Sequence, residues 1–253
     1  MYDWSCNRVG LIRCPHRTEA LLIALRCNGI LSFTYARDVR MCRLMAAVIL
    51  PLVAASTVRL AGQSRVEAPP PGAEAIPYFV ADGTGRAGYH AGDRELAAWA
   101  INAWQRSAGP GLRFEAAPEA RALLRVYWAD PEDGQYGEMR PFAIGDQRGA
   151  AVYIRPDTAS LGPDIARQTR VDPLLRDTIV YLTCVHEIGH ALGLRHTNDF
   201  ADIMYSFQYG GDFVEYFMRY RRQLVSRADI VRVSGIASSD VERLLALYPR
   251  RAP

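Results

Sequence analysis

The chain has 253 residues, 49% of them hydrophobic and 23% charged, a globular balance that excludes disordered and collagen-like chains. All 30 basic residues are arginine, and they are spread unevenly. Residues 1–61 hold 8 Arg against Asp3, Glu19 and Asp38, whereas residues 62–253 hold 22 Arg against 24 acids. The folded part is thus slightly acidic and carries no electrostatic footprint for nucleic acid.

The first readable segment is a leader. Leu44 to Ala55 is an apolar run of about 12 residues, broken by Pro51, whereas a membrane-spanning helix needs about 20. No stable membrane span is therefore expected. Arg40 and Arg43 precede the run, and Val53-Ala54-Ala55 ends it with small residues where a signal peptidase reads. This resembles a secretory signal peptide over 41–55, cut after Ala55, with export to an extracellular or periplasmic space. The other reading is a buried core helix. On the leader reading, Met41 is the natural start and residues 1–40 are a misassigned start or pre-leader. Cys6, Cys14, Cys27 and Cys42 precede the cut, leaving Cys184 with no partner for an internal disulfide. Cys184 then reads as core filler on an apolar helix.

Residues 56–75, with Pro69-Pro70-Pro71-Gly72, read as an extended linker. Ile76 to Ala81 predicts a strand. Asp93 predicts the cap of a helix whose apolar positions Leu96, Trp99, Ala100, Ala103 and Trp104 repeat at helical spacing. Gly109-Pro110-Gly111 ends it. Strands follow at Leu112–Glu115, Leu123–Trp128, Glu138–Ile144 and Gly149–Arg155, and Pro141 assigns the third of these to a sheet edge. Asp172 to Leu194 predicts a long helix with Pro173 in its first turn. This order gives an α/β or α+β domain with a mixed sheet.

Chemistry concentrates in His186-Glu187-Ile188-Gly189-His190-Ala191-Leu192-Gly193-Leu194-Arg195-His196. Residues four apart on a helix share a face, with Cβ atoms about 6 Å apart. His186 and His190 can therefore reach one Zn²⁺ at about 2.0–2.1 Å. Glu187 sits beside the first ligand, where it can reach a metal-bound water without ligating. On a continuous helix His196 would be rotated about 240° from His190. It becomes a third ligand only if the helix stops, and Gly193 is the residue that can stop it in a left-handed conformation. A composition estimate puts the chance occurrence of this pattern on the order of 10⁻⁵.

These residues resemble the metzincin zinc endopeptidases, whose pattern is H-E-x-x-H-x-x-G-x-x-H followed by a methionine turn. Asp202-Ile203-Met204-Tyr205 is similar to that turn, and Met204 follows His196 by eight residues, as in the matrixin branch. Ser206 stands where other branches place a ligating tyrosine. Asp240-Val241, Leu244 and Leu247-Tyr248 resemble the closing helix of matrixin catalytic domains.

The resemblance implies an α+β catalytic domain over 76–253. It would have a five-stranded mixed twisted sheet, two long helices and a C-terminal helix. One catalytic Zn²⁺ would be held by His186, His190 and His196, with Glu187 as general base and Met204 as an apolar floor. A polypeptide substrate would extend along the edge strand, with Glu138, Met139, Arg140, Phe142 and Tyr205 as candidate contacts. The loop from Tyr205 to Gly211 would wall the pocket. Bound Ca²⁺ is common in the family, and Asp130, Glu132, Asp133 and Asp146 are candidate oxygen donors.

Three departures stand out. Outside the motif and leader the one histidine is His90, so a second, structural zinc is not expected. The inhibitory cysteine segment of animal relatives has only a faint echo in Arg13-Cys14-Pro15. Asp240 follows Met204 by 36 residues, leaving an insertion at about 210–232. Within it Phe213, Phe217, Tyr220 and Leu224 repeat at helical spacing, predicting an added helix from Asp212 to Leu224 that borders the cleft. Two other functions keep the same residues: a non-catalytic zinc-stabilised binding module, and a zinc hydrolase of a non-peptide substrate.

Overall fold

The computed structural model describes residues 25–27, 30–32, 75–130 and 136–248. The chain divides into two units, one within Ser5–Gly62 and one running from Gln63 onward. In the first, β1 (Leu25–Cys27) and β2 (Ile30–Ser32) form a short antiparallel pair. The leader, its cut after Ala55, and the linker up to residue 74 lie outside the described residues.

The second unit is built on β3 (Ile76–Val80), β4 (Phe114–Ala116), β5 (Leu124–Trp128), β6 (Gly137–Ile144) and β7 (Gln147–Ile154). Their spatial order is β4-β3-β5-β7-β6. Three pairings are parallel, and only β6 with β7 is antiparallel. The central strands carry Leu124, Val126, Val152 and Ile154 on one face, all fully buried. Strand β6 takes the edge, where Pro141, which has no N–H to donate, is tolerated. Its hairpin with β7 closes through Gly145-Asp146, with Gly145 at φ +56°. Pairing therefore resumes at Gln147, two residues before the start read from the sequence.

Helices α1 (Asp93–Ala108) and α3 (Pro173–Ala191) pack on each other and on the sheet. Trp104 of α1 is fully buried between them, and its indole donates to the Val185 carbonyl at 2.9 Å. Truncation of such a ring costs about 3–5 kcal/mol. Asp93 is the first helical residue, with Gly92 at the cap. Its carboxylate is instead drawn into a buried ion pair with Arg176 of α3 (Nη2–Oδ2 2.6 Å). At the head of α3 the cap is Asp172, which accepts from the Leu175 N–H at 3.1 Å.

Helix α2 (Pro163–Val171) was not anticipated: its one buried residue is Ile165, so no apolar period marks it. Helix α4 (Phe213–Arg221) lies in the insertion, and α5 (Ser238–Leu247) closes the domain. Among the described residues no helix is long and apolar enough to cross a membrane. Cys184 is fully buried on α3.

Candidate metal centre

Helix α3 presents His186 and His190 from one face, and its end decides where His196 goes. The Gly193 N–H donates to the His190 carbonyl and the Leu194 N–H to the Gly189 carbonyl, both at 2.9 Å, with Gly193 at φ +96°. This is the left-handed glycine stop that the spacing required. The chain then doubles back. Thr197 N–H donates to Met204 O at 2.8 Å and Ser206 N–H to Thr197 O at 3.0 Å, tying the His196 segment to the methionine turn.

The three imidazoles converge. His196 Nε2 lies 3.2 Å from His186 Nε2 and 3.0 Å from His190 Nε2. Carbonyl oxygens only accept, so the bonds from His186 Nδ1 to Ile203 O (2.7 Å) and from His190 Nδ1 to Leu194 O (2.9 Å) assign those protons to Nδ1. Both Nε2 lone pairs thus face the centre. Burial, then the neighbouring His190, holds His186 down to about 3 and His196 down to about 4, and burial lowers His190 as well. The Nε2 lone pairs of His186 and His190 face His196 Nε2, at separations that suit three bonds of about 2.0–2.1 Å to one ion. The donor set fits zinc. Among the described residues these three are the group of side chains close enough to hold one ion.

Glu187 is 4% exposed and lies against the start of the edge strand. Burial, reinforced by the Glu138 carboxylate, pushes it up to about 8. A Cβ on Gly137 would stand 2.7 Å from Glu187 Oε1. Gly137 therefore makes room for this carboxylate, a role that sequence reading missed. Gly189 is a second miss: a Cβ there would meet Met204 Sδ at 2.4 Å. A glycine inside a helix costs about 1 kcal/mol, and that cost was the available signal of close packing.

Met204 is fully buried, and its thioether lies against Gly189, between the two helical histidines in the chain. Its turn is held by Asp240 of α5, which accepts from Ile203 N–H at 2.7 Å and from Ala237 N–H at 3.2 Å while pairing with Arg243 at 2.6 Å. The closing helix thus anchors the turn that carries Met204. Its Ser239 hydroxyl donates to Asp202.

Among the candidate substrate contacts, Glu138, Arg140 and Phe142 carry their side chains on the outer face of the sheet. Glu138 pairs with Arg140 at 2.7 Å, Arg140 lies over the Tyr153 ring at 4.6 Å, and Arg125 lies over Phe142 at 4.3 Å. Met139 alternates to the inner face and packs on the core. The Tyr205 side chain is turned inward: it is buried among Phe200, Phe207 and Tyr216, and its hydroxyl donates to Gly210 O at 2.7 Å. Of the calcium candidates, Asp130 pairs with Arg86, Asp146 is exposed in the β6–β7 turn, and Glu132 and Asp133 lie outside the described residues.

The family model described as matrixin matches residues 75–214, more than half of the chain. The chain belongs to the matrixin family of metalloendopeptidases. The macrophage metalloelastase of Oryctolagus cuniculus is 31% identical to this matrixin over 100 residues, which are 37% of this chain and 20% of that protein. The match thus spans about one fifth of the relative's length. A chain of the solved structure "GM1 bound form of the ECX AB5 holotoxin" is 16% identical, with a TM-score of 0.47, over 69% of this chain and 80% of that one.

Proposed function

We propose that this matrixin is an exported zinc-dependent endopeptidase in which His186, His190 and His196 hold the metal and Glu187 is the general base. The observation that carries this reading is the convergence of three imidazole Nε2 atoms, with the buried Glu187 carboxylate next to His186 in the chain and against the sheet edge. Zinc, when bound, supplies a Lewis acid that polarises a peptide carbonyl and acidifies water. Glu187 accepts the proton of the attacking water and returns it to the leaving amine. Its position one residue after His186 keeps it near the centre without occupying it. The main chain of β6 receives an extended peptide by strand addition. The side chains of Glu138, Arg140 and Phe142, engaged on the far face, leave that backbone as the generic contact. Residues 205–211 wall the pocket, and Met204 floors it.

The proposed layout is a start at Met41, export by 41–55, a linker to residue 75 and the catalytic domain beyond it, with the insertion at about 210–232. A calcium ion in the loops that hold Asp130 and Asp146 belongs to the same proposal.

The test is hydrolysis of an unfolded protein by the purified chain, with and without chelator. Zinc-dependent cleavage is expected, and Glu187→Ala is expected to keep its zinc and fold while losing about 10²–10⁴ in rate. Chelator-insensitive cleavage, or full activity in Glu187→Ala, refutes the reading.

A further inference from the structure

The insertion does more than extend the surface. Asp212 caps α4 by accepting the Glu215 N–H at 3.0 Å, and the helix then packs its aromatic side along α3 and behind the methionine turn. Tyr220 stacks on Tyr181 with ring centres 5.7 Å apart, and Arg221 pairs with Asp172 at 2.8 Å. The first turn touches the wall loop through Phe213 and Phe207, 4.7 Å apart. The predicted helix therefore forms, shorter than Asp212–Leu224, and only its first turn reaches the wall of the cleft.

One residue of this helix reaches the metal ligands indirectly. Tyr216 is 4% exposed, and Phe200, Phe207 and Phe217 lie within 5.2–5.6 Å of its ring centre. That packing aims its hydroxyl at the methionine turn, where the Ile203 carbonyl is the nearer acceptor at 3.0 Å and the Asp202 carbonyl the farther at 3.3 Å. The Ile203 oxygen also accepts the His186 Nδ1–H at 2.7 Å. A carbonyl oxygen has two lone pairs, and here a helix absent from the family pattern takes one while a metal-binding histidine takes the other. The Ile203 N–H is held from the opposite side by Asp240 at 2.7 Å. Arg219, one turn further along α4, donates to the Phe200 and Asp202 carbonyls.

We infer that Tyr216 is a positioning residue for the metal centre, acting through the Ile203 carbonyl on His186. The inference rests on the reading of His186, His190 and His196 as the zinc site. Its physical content is orientation. The Nδ1–H bond sets the rotation of the His186 ring and so the direction of Nε2, and it does so only as firmly as its acceptor is held. A phenylalanine would fill the same aromatic pocket, so the hydroxyl contributes its bond to the turn rather than the packing. A partner bonded directly to a ligand typically changes metal affinity by about 10–100-fold when lost, and Tyr216 stands one bond further out, so the low end of that range is its ceiling.

The experiment compares Tyr216→Phe with Tyr220→Phe. Tyr220 lies on the same helix and also donates a buried hydroxyl to a carbonyl, Val233 O at 2.5 Å, but that carbonyl is remote from His186. Zinc dissociation constants are read by chelator competition, and the visible bands of the cobalt(II)-loaded proteins report ligand geometry. Tyr216→Phe is expected to weaken zinc by roughly 3–10-fold and to shift the cobalt bands. Tyr220→Phe is expected to stay within about twofold of the parent with unchanged bands, since no ligand depends on its bond. Equal zinc affinity and identical bands in Tyr216→Phe overturn the inference, as does an equal loss in both variants, which marks a general effect of the helix. A parent protein whose zinc affinity survives His186→Ala overturns instead the assignment of the site.

Discussion

Single residues set the distances at this centre. Gly137 is the clearest case, because the space its missing side chain leaves is filled by Glu187. A Cβ there would also meet Thr183 Cγ2 at 2.8 Å. Both neighbours belong to α3, so the carboxylate has to move away from the strand. Displacing a reacting group by about 1 Å costs on the order of 10²-fold in rate. Gly137→Ala is therefore expected to lower kcat for peptide hydrolysis by about 10–10²-fold with the zinc content of the parent. Metal analysis beside steady-state kinetics checks both halves, and a variant that keeps full kcat removes this contact from the mechanism. The imidazoles of His186 and His190 work by the same logic: the Nε2 atoms proposed to bind metal are fixed by a bond on the other side of the ring.

At the scale of elements, α3 is the member on which the others are hung. Its first turn is tied to α1 by the buried Asp93–Arg176 pair and to α4 by Asp172–Arg221, while its last turn carries the histidines. Arg176 also donates to the Gly88 carbonyl at 2.6 Å and the Pro156 carbonyl at 3.3 Å. With Asp93 gone the buried guanidinium would keep only the longer contact to Asp177, at 3.5 Å, as counter-charge. Asp93→Ala is expected to cost about 3–5 kcal/mol in denaturant unfolding. Asp172→Ala removes a helix cap together with a partly exposed ion pair and is expected to cost about 1–2 kcal/mol. Should the two losses come out equal, the buried pair is not the stronger tie.

The whole molecule poses questions of stoichiometry and processing. With one three-histidine group among the described residues, the purified protein is expected to hold one tightly bound zinc per chain by elemental analysis. A second tightly held zinc would reveal ligands that the sequence pattern does not mark. Protein recovered outside the cytoplasm is expected to begin at or near Ser56, because small residues precede the proposed cut. N-terminal sequencing decides this, and a cytosolic chain that still starts at Met1 contradicts export.

The metal chemistry was legible in the sequence because it is local: His186, Glu187 and His190 sit on one helical turn, and Gly193 and His196 follow within ten residues of the first ligand. The central strands were legible from their apolar, β-branched and aromatic residues, whose alternate positions pack on the core, and Pro141 marked the edge. Contacts between distant segments were not legible. Gly137 lies 50 residues from Glu187, and Tyr216 lies 30 residues from His186, so no spacing rule connects them. Asp93 and Asp172 each open a helix in the sequence, and only packing turned the first toward Arg176 and left the second to cap the helix end. Nor does any spacing rule join the Tyr205 hydroxyl to the Gly210 carbonyl, a bond that only the folded wall loop makes. A sequence specifies ligand spacing and burial period by itself. Which buried polar group meets which is decided only when sheet, helices and insertion close on one another, since each such group must find its partner inside a dry core.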